Sequence, residues 1–166
     1  MRRSLVYLVG LLFIVGSLGV IACGGNGGNG DDGGGSSGSS NTVAISMDDQ
    51  GGTYTMVASP GSIATGSVTF DVSNVGLIAH EFKVVKLNEA GMAADLTDLP
   101  TEAGLISESG NMVDGVGTVL GSLLEADLPA DGSDELTVNL DAGEYMLLCN
   151  VATHYQLGMW SEFTVT

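Results

Sequence analysis

The sequence predicts an all-β sandwich, and two observations carry that expectation. From Thr42 onward, short apolar or alternating runs are separated by Gly, Asp, Asn and Pro, the pattern of strands joined by tight turns. Within one of these runs Val68, Phe70 and Val72 alternate with Thr69 and Asp71, so one face of the strand meets a core and the other meets water. No internal repeat and no heptad pattern competes with this grammar. A chain of 166 residues holds one such domain plus extensions.

The elements follow in order. Residues 1–22 read as an export signal: Arg2 and Arg3 give a charged start, an apolar run extends from Leu5 to Ile21, and it ends in Val20-Ile21-Ala22-Cys23. A small residue before a Cys at that point resembles the lipobox of bacterial lipoproteins, which implies lipidation at Cys23. An uncleaved membrane anchor is the alternative use of the run. Residues 23–41 then form a tether, since 24–40 contain only Gly, Asn, Asp and Ser. Such a segment buries nothing and spans roughly 20–25 Å. The expected product is a domain at 42–166, outside the cytoplasm and lipid-anchored on the periplasmic side or at the cell surface.

Seven strands are expected in that domain, at 43–47, 54–58, 67–72, 81–87, 136–140, 145–149 and 162–165, with Asp141-Ala142-Gly143 as the turn between the fifth and sixth. Seven to eight strands suffice for two packed sheets. Residues 88–134 are longer than a simple connection requires and read as one long inserted loop or short helix, with the helix near 90–96 and a second apolar run at 116–124.

Charge excludes one class of function. The chain has 4 Lys and Arg against 20 Asp and Glu, a formal charge of −16. Loss of residues 1–22 leaves Lys83 and Lys86 as the only cations, and no nucleic-acid surface can be built from two lysines.

The residues able to do chemistry are few and converge. There are two His and two Cys; with Cys23 assigned to lipid, the rest form the pattern His80 … Cys149-x4-His154-x4-Met159. Each residue has an ordinary use taken singly: a core Cys or a disulfide partner for Cys149, a satisfied imidazole for each His, a core Met for Met159. Jointly they match two imidazoles, one thiolate and a weak axial thioether, the set that selects copper for electron transfer. Zinc also accepts two His and a Cys, but a thioether favours copper. No hydrolase nucleophile elbow is present.

With GSVTFDVSN from Gly66, Ala79-His80-Glu81-Phe82, GEYMLLCN from Gly143, His154-Tyr155 and Gly158-Met159-Trp160, the chain resembles the cupredoxin family of type 1 blue copper proteins, in particular its auracyanin-like and sulfocyanin-like members. The resemblance covers roughly residues 43–166, least closely at 88–134, and the loop between Cys149 and Met159 is longer than in azurin-like or plastocyanin-like members. It implies a Greek-key β-sandwich and one type 1 copper held by His80, Cys149, His154 and Met159. It further implies an electron port at His154 rimmed by Val151, Ala152, Tyr155 and Leu157. Around the metal, the Asn150 backbone is expected to donate to the Cys149 sulfur, and the Ala79 carbonyl to approach opposite Met159. The expected function is a monomeric, membrane-tethered electron carrier, not an enzyme, serving a cytochrome c or a membrane oxidase or reductase complex. The alternative is an extracytoplasmic copper carrier or storage protein.

Overall fold

A computed structural model describes residues 41–166. The signal, the Cys23 lipidation and nearly all of the tether expected from the sequence lie outside the described residues. Strand β1 (Thr42–Asp48) is followed by β2 (Thr55–Ser59), β3 (Ser62–Ile63), β4 (Gly66–Asn74) and β5 (Phe82–Leu87). Helix α1 (Glu89–Ala93) opens the long insertion, which continues through β6 (Thr101–Glu102), β7 (Leu105–Ile106), β8 (Glu108–Ser109) and β9 (Met112–Val113). Strands β10 (Gly117–Leu123), β11 (Ser133–Leu140), β12 (Gly143–Leu148) and β13 (Trp160–Val165) complete the domain. All seven expected strands are present. The apolar run expected at 116–124 is a full strand, β10, and the helix is shorter and slightly earlier than expected. It starts where the Asn88 side chain accepts the Gly91 N–H at 2.8 Å.

Two sheets form the sandwich. One has the order β11-β4-β1-β2, with β1 parallel to β4; the other has the order β3-β13-β12-β5-β10-β9-β8, with β13 parallel to β3. Val68, Phe70 and Val72 of β4 all point into the space between the sheets, where Val43, Ile45, Phe82, Tyr145, Leu147 and Phe163 meet them. The alternation read from the sequence is therefore the inward face of β4.

Strands β5 and β12 lack that alternation because both of their faces are covered. Val84, Tyr145 and Leu147 enter the main core, whereas Val85, Met146 and Leu148 enter a second one. The insertion supplies the lid of this second core through Leu96, Leu99, Ile106, Val113 and Val116. It leaves β5 at Leu87, crosses the outer face of the larger sheet and returns to Gly117, giving the domain a third layer.

Strand directions decide where chemistry can occur. β1, β4, β10 and β12 all finish at one end of the sandwich, and β2, β5, β11 and β13 all start there. The connections at that end are residues 49–54, 75–81, 124–132 and 149–159.

Candidate metal centre

His80, Cys149 and His154 come together at this end, with one ligand atom from each lying within 4.8 Å of the others. His80 is delivered by the loop between β4 and β5, two residues before β5 begins at Phe82. Cys149 lies one residue beyond β12 and still pairs with the neighbouring strand, its N–H donating to the Met159 carbonyl at 3.1 Å. His154 sits in a turn closed by its own N–H to the Val151 carbonyl at 3.0 Å. Its carbonyl accepts the Met159 N–H at 3.0 Å, so Met159 is tied to both Cys149 and His154 through its backbone. Met159 is fully buried in the main core beside Cys149.

The donor atoms are spaced as a chelate requires. His80 Nδ1 and His154 Nδ1 are 3.1 Å apart, and Cys149 Sγ is 3.4 Å from His154 Nδ1. Metal–nitrogen bonds of about 2.0 Å and a metal–sulfur bond of about 2.3 Å, set at near-tetrahedral angles, place ligand atoms at about these separations. Cys149 is an unbridged, buried thiol.

Electrostatics prepare the donors. Burial lowers the pKa of His80, assisted by His154 and opposed by Asp49, and burial likewise lowers that of His154. Both imidazoles are therefore neutral at pH 7, the form that binds metal. Burial pushes the Cys149 thiol up to about 12, against backbone N–H donors at Val151 and Glu81. A metal entering this site must therefore displace the thiol proton.

Asp49 and Tyr54, neither of them foreseen from sequence, frame the site. Asp49 is buried; its carboxylate accepts the N–H groups of Leu77 and Ile78 at 2.6 and 3.1 Å and lies 3.4 Å from His80 Nε2. At that distance the imidazole contact is electrostatic, and Nε2 has no hydrogen-bond partner. The arrangement places a carboxylate behind the His80 imidazole, as behind the imidazoles of many metal sites, where it orients the ring. The Tyr54 ring lies 4.9 Å from that of His154 and 6.4 Å from that of His80, centroid to centroid, and covers both. Only a pair of acids after a strand was visible in the sequence at Asp48-Asp49, and a turn explains that as well as a site does.

Three of the expected surrounding roles change. The Asn150 N–H donates to Glu81 Oε1 at 3.0 Å instead of to sulfur, because Glu81 reaches across from the loop that carries His80; the backbone groups that favour a Cys149 thiolate are those of Val151 and Glu81. Tyr155 does not rim the surface: its hydroxyl accepts the Leu99 N–H at 2.7 Å and donates to the Leu96 carbonyl at 2.8 Å inside the second core. Val151 is half-buried against the main core. Ala152 and Leu157 are exposed, joined at the same end of the sandwich by Leu77, Ile78 and Leu124, of which Leu77 is 70% exposed. Ala79 is half-buried next to His80.

The sulfocyanin (SoxE) domain family matches residues 61–166. The chain belongs to the sulfocyanin family. No curated relative matches the sequence. Among solved structures, reduced auracyanin from Roseiflexus castenholzii is similar at 21% identity over 78% of this chain and 99% of its own, with a TM-score of 0.51. Auracyanin A from Chloroflexus aurantiacus, described as a blue copper protein, is similar at 22% identity over 75% and 99% of the two chains, with a TM-score of 0.48. Reduced rusticyanin gives 18%, over 75% and 78%, with a TM-score of 0.46. The fold is thus a cupredoxin-like sandwich, and sulfocyanin, as a cupredoxin, binds one type 1 copper. The buried imidazole, thiol and imidazole of this chain fit that ion in donor type and in spacing.

Proposed function

We propose that the protein is an electron carrier, held to the outer face of a membrane through lipid on Cys23, in which His80, Cys149 and His154 would hold the copper and Met159 would add a thioether donor. The observation that carries this reading is the convergence of two neutral Nδ1 atoms and one Sγ in a buried site. Copper supplies one-electron chemistry there, between Cu(II) and Cu(I). The protein supplies rigidity: Met159 is bound by its backbone to Cys149 and His154, and Asp49 pins the chain that precedes His80. Ligands held in this way change little between the two oxidation states.

His154 is the port for electrons. It keeps 4% exposure where His80 has none, and the exposed side chains of Leu77, Ile78, Leu124 and Leu157 form an apolar surround for a docking partner. A cytochrome c or a membrane oxidase or reductase complex fits a monomeric carrier of this charge. Copper delivery or storage is the lesser reading, because donors this deeply buried are poorly placed to hand over an ion.

The visible spectrum after Cu(II) is added tests the site. An intense thiolate-to-copper band, bleached by reductant and absent in Cys149→Ser, is the expected result. A folded chain that binds Cu(II) without that band overturns it.

A further inference from the structure

The insertion does more than cover the second core, because its tip is bonded to the loop that carries the copper ligands. Asn150, which directly follows Cys149, brackets one strand residue: its Oδ1 accepts the Ile106 N–H and its Nδ2 donates to the Ile106 carbonyl, both at 2.9 Å. The same Nδ2 reaches Glu108 Oε1 at 2.6 Å. Thr153 donates its N–H to the Gly104 carbonyl at 2.7 Å. The Tyr155 hydroxyl, flanking His154 on its other side, is bonded to Leu96 and Leu99.

These contacts fall on the residues between and beside the ligands. Thr153 has φ 74°, a left-handed conformation that a branched residue adopts only when its surroundings impose it. In that conformation its N–H meets the Gly104 carbonyl. Gly104 itself has φ 83°, and a Cβ there would lie 2.7 Å from the Thr153 nitrogen, so only glycine lets the two backbones approach this closely. Loop 149–159 has no strand or helix of its own, and a loop of that kind stays in one shape only where other contacts offset its entropy.

We propose that residues 96–108 are a strap whose grip on Asn150, Thr153 and Tyr155 holds the ligand loop in its binding shape before metal arrives and sets the rate at which copper leaves. Asn150 and Tyr155 are positioning residues: they act on the ligands through the backbone on either side of Cys149 and His154. The inference rests on the metal-site reading but not on electron transfer. It adds that the insertion, which supplies no ligand, fixes the shape of the loop that does.

Hydrogen exchange of the metal-free full-length protein is the direct test, because its readout does not involve copper. The native protein should protect the Thr153 and Met159 amides. Tyr155→Phe, which keeps the ring and removes one hydroxyl, and Gly104→Ala, whose added Cβ forces the strap away from Thr153, should each speed their exchange at least tenfold while β4 and β12 remain protected. In the copper-loaded protein the same variants should speed capture of Cu(I) by an external chelator by a similar factor. Unprotected loop amides in the native metal-free protein, or variants that exchange and release copper at the native rate, would overturn the strap. A failed copper reading would instead appear as a missing charge-transfer band with the exchange pattern intact.

Discussion

Cys149 and the two imidazoles make the metal-free protein sensitive to pH in both directions. The folded state holds the Cys149 thiol at about 12 against an ordinary value of 9.0. Above about pH 9 the unfolded chain therefore binds fewer protons than the folded one, and stability falls as pH rises toward 12. His80 and His154 are lowered from 6.5. Their contribution is complete above 6.5 and is lost as pH falls below it, because the unfolded chain protonates first. Denaturant midpoints of the metal-free protein should accordingly form a plateau between about pH 6.5 and 9 and decline on either side. Copper binding within that plateau should release one proton per ion, readable by calorimetry in buffers of different ionisation enthalpy. Asp49 acts on the same centre through charge. Asp49→Asn removes a negative group behind His80 and so disfavours the more positive oxidised ion, which should raise the reduction potential by about 60 mV, a tenfold shift in the one-electron equilibrium. An unchanged or lowered potential would mean that the carboxylate serves only to hold Leu77 and Ile78.

Among the elements, β12 carries the most, since its side chains fill both cores. Leu148→Ala should cost about 2–5 kcal/mol in denaturant unfolding, whereas Val57→Thr, on an exposed position of β2, should stay within about 0.5 kcal/mol. The continuous run Tyr145-Met-Leu-Leu-Cys149 already signalled a strand buried on two sides, but nothing in the sequence said what lay on the second side. Strands β6 to β9 have two residues each, too few for alternation to show, and they depend on partners brought by the fold. The convergence of His80, Cys149 and His154 was legible for the opposite reason. Three of the four expected ligands lie within eleven consecutive residues, and His and Cys are so scarce that a shared site was the economical account. Asp49, Tyr54 and Glu81 are common residue types far from that segment, and only the meeting of four loops at one end gives them a role. Asn150 was noticed for its place after Cys149, yet its side chain, not its N–H, proved the more connected part.

At the scale of the whole molecule the dominant property is acidity, −16 over 166 residues. Such a field accelerates encounter with a cationic partner and is screened over about 10 Å at 0.1 M salt and about 3 Å at 1 M. Reduction by a basic cytochrome should therefore slow about tenfold or more between low and high ionic strength when followed by stopped flow. A rate indifferent to salt would assign the acids to solubility alone, leaving docking to the apolar side chains around His154.

Strand β1 has a polarity that matters for handling the molecule. Its seven residues cover roughly 20 Å from Thr42 to the Asp49 turn behind His80, and β13 runs the opposite way to finish at Val165. Both ends of the domain thus emerge at the pole remote from His80, Cys149 and His154. A linker, an affinity tag or an electrode coupling fused at either end is attached there, so immobilisation need not obstruct the His154 face, and the protein can be wired to a surface with its redox pole turned toward solution.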